Sequence, residues 1–296
     1  MKKFLSALLC AATVLLLCGC GAEPPAQIAA TTLPVYEFTQ SLCQGTPLTV
    51  TRLVTEEVSC LHDYSLNVRQ VKAAEAAEVI VISGAGLEDF LDGILVPEKL
   101  IDASQGIELL HPEEHSHEEE HDYSHDDEHS HDRDPHIWLS PANAMIMAEN
   151  ICRELSAVYP EYKETFEKNL AQLLEQLEAL RLYGEQTLST LSFREMITFH
   201  DGFAYFAESF DLEILEAIEE ESGSEASAKD LIHLIEEVEH HNLPAVFTEK
   251  NGSPSAAQVI SRETGTEIYA LDMAMAGNSY FDAMYHNIDT IKEALE

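Results

Sequence analysis

Val79-Ile80-Val81-Ile82, closed by Ser83-Gly84, is the stretch that decides the fold. Four β-branched apolar residues run on with no polar residue between them. A half-exposed strand would alternate, so this one is buried on both faces, as strands of a parallel sheet are. Helical spacing precedes it over 67–78 and resumes over 88–91, which makes a strand flanked by helices and an α/β chain. Outward from it, 28–33 reads as a short β run, 36–43 as a helix ending at Gly45, and 48–54 as an alternating strand. Leu100-Ile101-Asp102 and Ile107-Glu108-Leu109-Leu110 read as edge strands,. Asn143 to Tyr159 is a predicted helix, and Pro160 opens a longer one. In it Phe166, Leu170, Leu173, Leu177 and Leu180 fall at three- and four-residue spacing,. That one-sided stripe suits a helix spanning two lobes and equally an ordinary core helix. Strands at 196–199, 212–215, 245–248 and 267–271 then alternate with helices at 203–210, 229–241, 255–264 and 280–295. The expected architecture is α/β: two lobes, each with a mainly parallel sheet flanked by helices, joined by one long helix. The segments are a signal (1–19), a tether (20–27), an N-terminal lobe (28–159) holding a His-rich loop (111–133), a linking helix (160–188) and a C-terminal lobe (189–296).

The first residues lie outside that fold. Lys2 and Lys3 precede an apolar run from Phe4 to Leu17, and Leu17-Cys18-Gly19-Cys20 follows, the pattern of a lipoprotein signal with Cys20 as the lipidated residue,. The run is short beside the roughly 20 residues of a membrane-spanning helix. The expectation is an extracytoplasmic protein anchored to the cell membrane by lipid. The formal net charge is −38, and losing Lys2 and Lys3 brings it to about −40,. Such a surface excludes nucleic acid and anionic headgroups as partners and favours cations, although most of the acids are simply a solvated face. Cys43, Cys60 and Cys152 remain beyond the signal, an odd number that allows one disulfide; Cys43–Cys60 is the expected pair,.

Within the N-terminal lobe lies the chain's oddest stretch. His111, His115, His117, His121, His125, His129 and His131 alternate with Glu, Asp and Ser, and beyond Tyr123 nothing apolar interrupts them. This tract cannot bury a core and reads as a solvated loop with weak, accessory metal affinity, or as a plain low-complexity linker. It runs into Asp134-Pro135-His136-Ile137-Trp138-Leu139-Ser140-Pro141, which holds the single Trp and is bracketed by prolines.

Three histidines share one placement. His62 follows the strand at 48–54 through a loop, His136 follows the edge strands and the tract, and His200 directly follows Met196–Phe199. Asp272 follows the strand at 267–271 in the same way. Ligands of open parallel sheets bind beyond the carboxyl ends of the strands, so an inter-lobe cleft is a place where all four meet. Three imidazoles and a carboxylate suit tetrahedral Zn²⁺. Glu249, after 245–248, is the runner-up carboxylate. His233, His240, His241 and His286 fall on helices and read as solvated or locally paired.

The segment Asp134 to Pro141 resembles a signature of the metal-binding lipoproteins of zinc and manganese ABC importers. So do Phe199-His200-Asp201-Gly202-Phe203-Ala204-Tyr205-Phe206, Glu263-Thr264-Gly265 with Leu271-Asp272, and Ser279-Tyr280 with Met284 and Asn287. The resemblance covers essentially the whole chain after the signal. It implies two α/β lobes on a rigid helix, with His62, His136, His200 and Asp272 as metal ligands and an ABC-type permease as partner. A histidine rather than a glutamate at the third ligand, and a His-rich insertion before the second, imply the zinc-uptake branch, with Mn²⁺ the lesser candidate. The first motif departs from the family's: Ser59-Cys60-Leu61-His62-Asp63-Tyr64 lacks its usual Pro before the histidine and leaves Cys60 two residues from His62. Glu57 and Asp63 are available to orient ligands.

The resulting expectation is a monomeric zinc receptor, not an enzyme. A zinc hydrolase needs an open coordination position and a general base, and no His-Glu-x-x-His motif is present,. A surface metal buffer or adhesin shares the same site and differs only in its partner.

Overall fold

The structure, a computed structural model, describes residues 26–56, 61, 64–91, 93, 96–111, 133–218 and 226–296. In the first lobe β1 (Ile28–Ala30), β2 (Val50–Arg52), β3 (Val79–Ile82) and β4 (Leu100–Asp102) form one sheet in the order β2-β1-β3-β4, every pairing parallel. The uninterrupted apolar run behaves as its composition requires. Val79 and Val81 enter one apolar cluster with Ile28 and Ala30, while Ile80 enters another with Ala29, Leu53 and Ala74. The second lobe repeats the plan with β5 (Glu195–Thr198), β6 (Glu213–Ala217), β7 (Ala245–Glu249) and β8 (Glu267–Leu271), ordered β6-β5-β7-β8 and again parallel.

Helices cover these sheets: α1 (Leu33–Leu42), α2 (Val68–Ala76), α3 (Pro141–Val158), α4 (Lys163–Leu188), α5 (Ala204–Ser209), α6 (Ala228–His241), α7 (Ser255–Thr264) and α8 (Tyr280–Leu295). Their ends follow local chemistry. Asn67 with Gln70 and Ser227 with Asp230 form capping boxes that satisfy the first free N–H groups of α2 and α6,. Gly265, at φ +80°, ends α7 in the left-handed conformation that side chains disfavour,. The 26 residues of α4 reach about 39 Å,. This helix packs on α1 and α3 of the first lobe and on α8 of the second. Phe166, Leu173, Leu177 and Leu180 are buried along it, and Asn169 Nδ2 donates to the carbonyls of Leu42 and Gln44, both at 2.8 Å, closing the end of α1.

The lobes are also joined side by side. Trp138 is fully buried, its Nε1 donating to the Met273 carbonyl at 2.8 Å, and Tyr280 Oη donates to the Trp138 carbonyl at 2.8 Å. Phe38 meets the Tyr280 ring edge-on at 5.1 Å, and Leu33 N donates to the Met275 carbonyl at 3.1 Å. One apolar cluster therefore runs through both lobes. Among the described residues no helix is long and apolar enough to cross a membrane.

Several expectations give way. The β run at 28–33 stops at Ala30, because Pro34 sits in the first turn of a helix and suits that position,. Residues 107–110 pair with no strand among the described residues. Leu110 N instead donates to Tyr205 Oη at 2.9 Å, and Asp134 N donates to the Leu110 carbonyl at 3.0 Å, so this run ties the two ends of the tract to the second lobe. The helix expected at 88–91 is a single 3₁₀ turn (Asp89–Leu91), and Pro160 opens another (Pro160–Tyr162) ahead of α4. The expected Cys43–Cys60 disulfide involves a residue outside the described ones. Cys43 is a free thiol buried beneath the end of α1, where desolvation pushes its pKa up to about 12; Cys152 is likewise free and buried, and Cys60 lies outside the described residues.

Candidate metal centre

Sheet order decides where a ligand binds. In the second lobe the chain runs outward from β5 to β6 on one side and to β7 on the other, so the crevice lies beyond the carboxyl ends of β5 and β7,. His200 is the second residue after β5 and Glu249 the last residue of β7. Phe199 N still donates to the Phe247 carbonyl at 3.0 Å, and Thr198 Oγ1 donates to the His200 carbonyl at 3.0 Å, so His200 leaves a fixed strand end.

His136 arrives from the first lobe on a stiff support. The 3₁₀ turn Ile137–Leu139 follows it, and Ser140 caps α3, which has Pro141 in its first turn. Asp134 is buried and its carbonyl accepts from Tyr205 Oη at 3.0 Å. Asp134 Oδ1 accepts from the backbone N of His136 at 2.8 Å and lies 2.7 Å from its Nδ1, while the ring itself is 2% exposed.

The two imidazoles then meet. His136 Nε2 and His200 Nε2 are 3.3 Å apart. His200 Nδ1 lies 3.0 Å from Glu249 Oε1, so each ring has a carboxylate behind its Nδ1 and turns Nε2 toward the other. Carboxylates placed in this way fix the tautomer and orientation of metal-binding histidines. Two nitrogens bound tetrahedrally to one Zn²⁺ at 2.0–2.1 Å stand about 3.3–3.4 Å apart, the spacing found here. Gly202 makes room for the pair: a β-carbon there would lie 2.7 Å from His200 Cδ2 and from Met273 Cε, and 3.1 Å from His136 Nδ1.

Asp272 stands on the same wall. A pocket beside the rings is lined by Glu249, Lys250, Asn251, Asp272 and Met273, with Met275 and Ala276. The Asp272 backbone is clamped by Asn287, whose Oδ1 accepts from Asp272 N and whose Nδ2 donates to its carbonyl, both at 2.7 Å. Its Oδ1 accepts from Ala274 N at 2.9 Å, and its Oδ2 takes Lys250 Nζ at 3.2 Å.

Of the residues expected from sequence, His136 and His200 come together and Asp272 lines the adjoining pocket. Glu249 touches His200 through Nδ1. His62, with Glu57, Cys60 and Asp63, lies outside the described residues, as do Cys20 and His115, His117, His121, His125, His129 and His131. The flanks of His62 are held: Leu61 is buried, and Tyr64, whose N donates to the Leu61 carbonyl at 3.0 Å, packs on Phe90. Among the described residues no three His, Cys, Asp or Glu converge on one metal position. Asp134, Gly202, Lys250 and Asn287 went unassigned in the sequence. Asp134, Gly202 and Asn287 stand in the motifs that carry the resemblance, whereas no local signal marks Lys250. His233 and His241 are paired locally, with Glu216 at 3.2 Å and Glu195 at 2.9 Å.

Two α/β lobes on a shared helix, with opposed imidazoles where they meet, define a two-lobed binding protein of the metal-receptor type. The family model described as "ZnuA: Zinc-uptake complex component A periplasmic" matches residues 28–294, and the chain belongs to that family. It is 31% identical over 313 residues to the zinc-binding lipoprotein AdcA of Streptococcus pneumoniae serotype 4 (strain ATCC BAA-334 / TIGR4), across 100% of this chain and 62% of the relative. The chain thus spans less than two thirds of that relative's length. A crystal structure of ZnuA aligns with a TM-score of 0.76 at 30% identity, covering 92% of this chain and 100% of the other. The Zn(II)-bound ZnuA-like domain of Streptococcus pneumoniae AdcA aligns at 0.73 and 27% identity, covering 91% and 98%. These relatives are named as binding proteins, not as enzymes.

Proposed function

We propose that this protein is an extracytoplasmic zinc receptor that captures Zn²⁺ between its lobes and delivers it to an ABC-type permease. The observation that carries the reading is the 3.3 Å approach of His136 Nε2 and His200 Nε2, each ring backed by a buried carboxylate. His62 and Asp272 complete the ligand set, as the family resemblance implies. Imidazole is a softer ligand than carboxylate, so a histidine-rich set favours zinc over manganese. The zinc-binding names of AdcA and its zinc-bound domain support the same metal.

Capture takes place in a largely preformed site. The continuous helix α4 and the Trp138–Met273 and Tyr280–Trp138 hydrogen bonds limit hinge closure, so ordering of loops around the metal marks the loaded state,. The tract at 111–132 collects zinc weakly and is accessory. A lipid on Cys20 holds the monomer at the membrane beside its permease, a placement the lipoprotein name of AdcA supports.

Calorimetric zinc titration of the lipid-free protein tests this. One tight site is expected, retained when residues 111–132 are deleted and lost in His136→Ala. Affinity should fall as pH drops through about 6.5, since a histidine must be neutral to bind metal. A tight site that survives His136→Ala, or disappears with the tract, contradicts the reading.

A further inference from the structure

We propose that Lys250 is an internal cation that occupies Asp272 and is displaced when the metal enters, so that it sets how tightly the metal is held and how fast it leaves. This rests on the reading of Asp272 as a ligand.

The carboxylate's two oxygens have different duties. Oδ1 accepts from Ala274 N and belongs to the loop's own hydrogen bonding, whereas Oδ2 is held by Lys250 Nζ at 3.2 Å. Oδ2 is therefore the oxygen a metal can take without unfolding the loop, and the ammonium is already on it. The placement is built into the backbone. Lys250 follows the last residue of β7, and its N donates to the Leu271 carbonyl at 2.8 Å, one residue before Asp272. Among the described residues the ammonium has no other partner, and the side chain is 62% exposed against 17% for Asp272, so it can swing into solvent once displaced.

Two physical effects follow. Before binding, the tethered ammonium competes with the metal for one carboxylate oxygen at a high effective concentration, because the four-carbon stem cannot carry it far away. After binding, the same charge stays near a dication in the pocket it shares with Glu249 and Asp272. Both lower the affinity, and the second, by destabilising the loaded state, speeds dissociation. For an exposed pair the effect is about fivefold, and it shrinks as salt screens the charges.

The test measures the zinc dissociation constant by chelator competition and the release rate by stopped-flow chelation. The proteins are the full lipid-free chain, Lys250→Gln, Asp272→Asn and the double variant. Lys250→Gln should bind zinc about fivefold tighter and release it correspondingly more slowly, with the difference reduced at high salt and abolished in the Asp272→Asn background. If Asp272→Asn weakens zinc binding while Lys250→Gln changes neither affinity nor release, the displacement is wrong and Asp272 stands as a ligand. An unchanged affinity in Asp272→Asn removes the ligand reading and the displacement with it. An equal effect of Lys250→Gln in both backgrounds also overturns the proposal, since a diffuse charge effect needs no Asp272.

Discussion

At the scale of single residues the site depends on what stands behind the histidines. Asp134 uses one oxygen both to accept from the His136 backbone and to meet its Nδ1, so ring and main chain are aligned by a single group. Asp134→Ala should leave the fold intact and weaken zinc binding about 10- to 100-fold, the usual effect of removing a ligand's supporting carboxylate. Chelator competition measures it, and unchanged affinity would show that the buried run at 137–141 orients His136 unaided. His136 and His200 are readable from the sequence because strand ends and prolines mark them. The Glu249–His200 contact is not, since it joins residues on different strands and depends on β7 lying beside β5. Glu249 therefore looks in sequence like an alternative ligand, although its contact with His200 is through Nδ1.

The elements show where periodicity suffices and where it does not. The run Val79–Ile82 reveals its sheet directly, because burial on both faces leaves a composition that alternation cannot mimic,. The similar-looking run at 107–110 misleads: it pairs with no strand among the described residues, and the Leu110 N–H goes to Tyr205 instead. The 88–91 segment looks like a helix start but serves a different purpose. Glu88 is buried, and its carboxylate accepts from Thr31 Oγ1 and Ser83 N at 2.7 Å and from Gly84 N at 3.0 Å, bridging the ends of β1 and β3. Burial outweighs these hydrogen bonds and raises its pKa from 4.5 to about 7,. Because the folded value lies above the unfolded one, the protonated carboxyl favours the fold; that contribution is complete below 4.5 and is lost as pH rises through about 7,. The stability of the protein relative to Glu88→Gln should thus decline between pH 4.5 and about 7, by an amount on the order of 3 kcal/mol,. Urea unfolding at several pH values measures it, and a difference that stays flat with pH would contradict the assignment.

Over the whole molecule the lobes behave as one body because their junction is apolar and hydrogen-bonded at once. Tyr280 is the clearest single connection: fully buried, packed on Phe38, and donating across the junction to the Trp138 carbonyl. Tyr280→Phe leaves that carbonyl without its donor and should cost about 1–3 kcal/mol. Thermal unfolding should remain a single transition. Two separated transitions would show that the lobes are independent units. The two-lobe plan is legible in the sequence because strand and helix signals repeat in both halves. The junction is not, because Trp138, Met273 and Tyr280 lie far apart in the chain and become neighbours only through the fold.

The central claim is that opposed imidazoles from the two lobes select zinc, and competition between Zn²⁺ and Mn²⁺ on the lipid-free protein and on His200→Glu tests it most directly. One tight zinc site is expected in the unmodified protein, with Mn²⁺ bound far more weakly and the preference reduced in His200→Glu. Equal affinity for the two metals in the unmodified protein, or no change in His200→Glu, would contradict it.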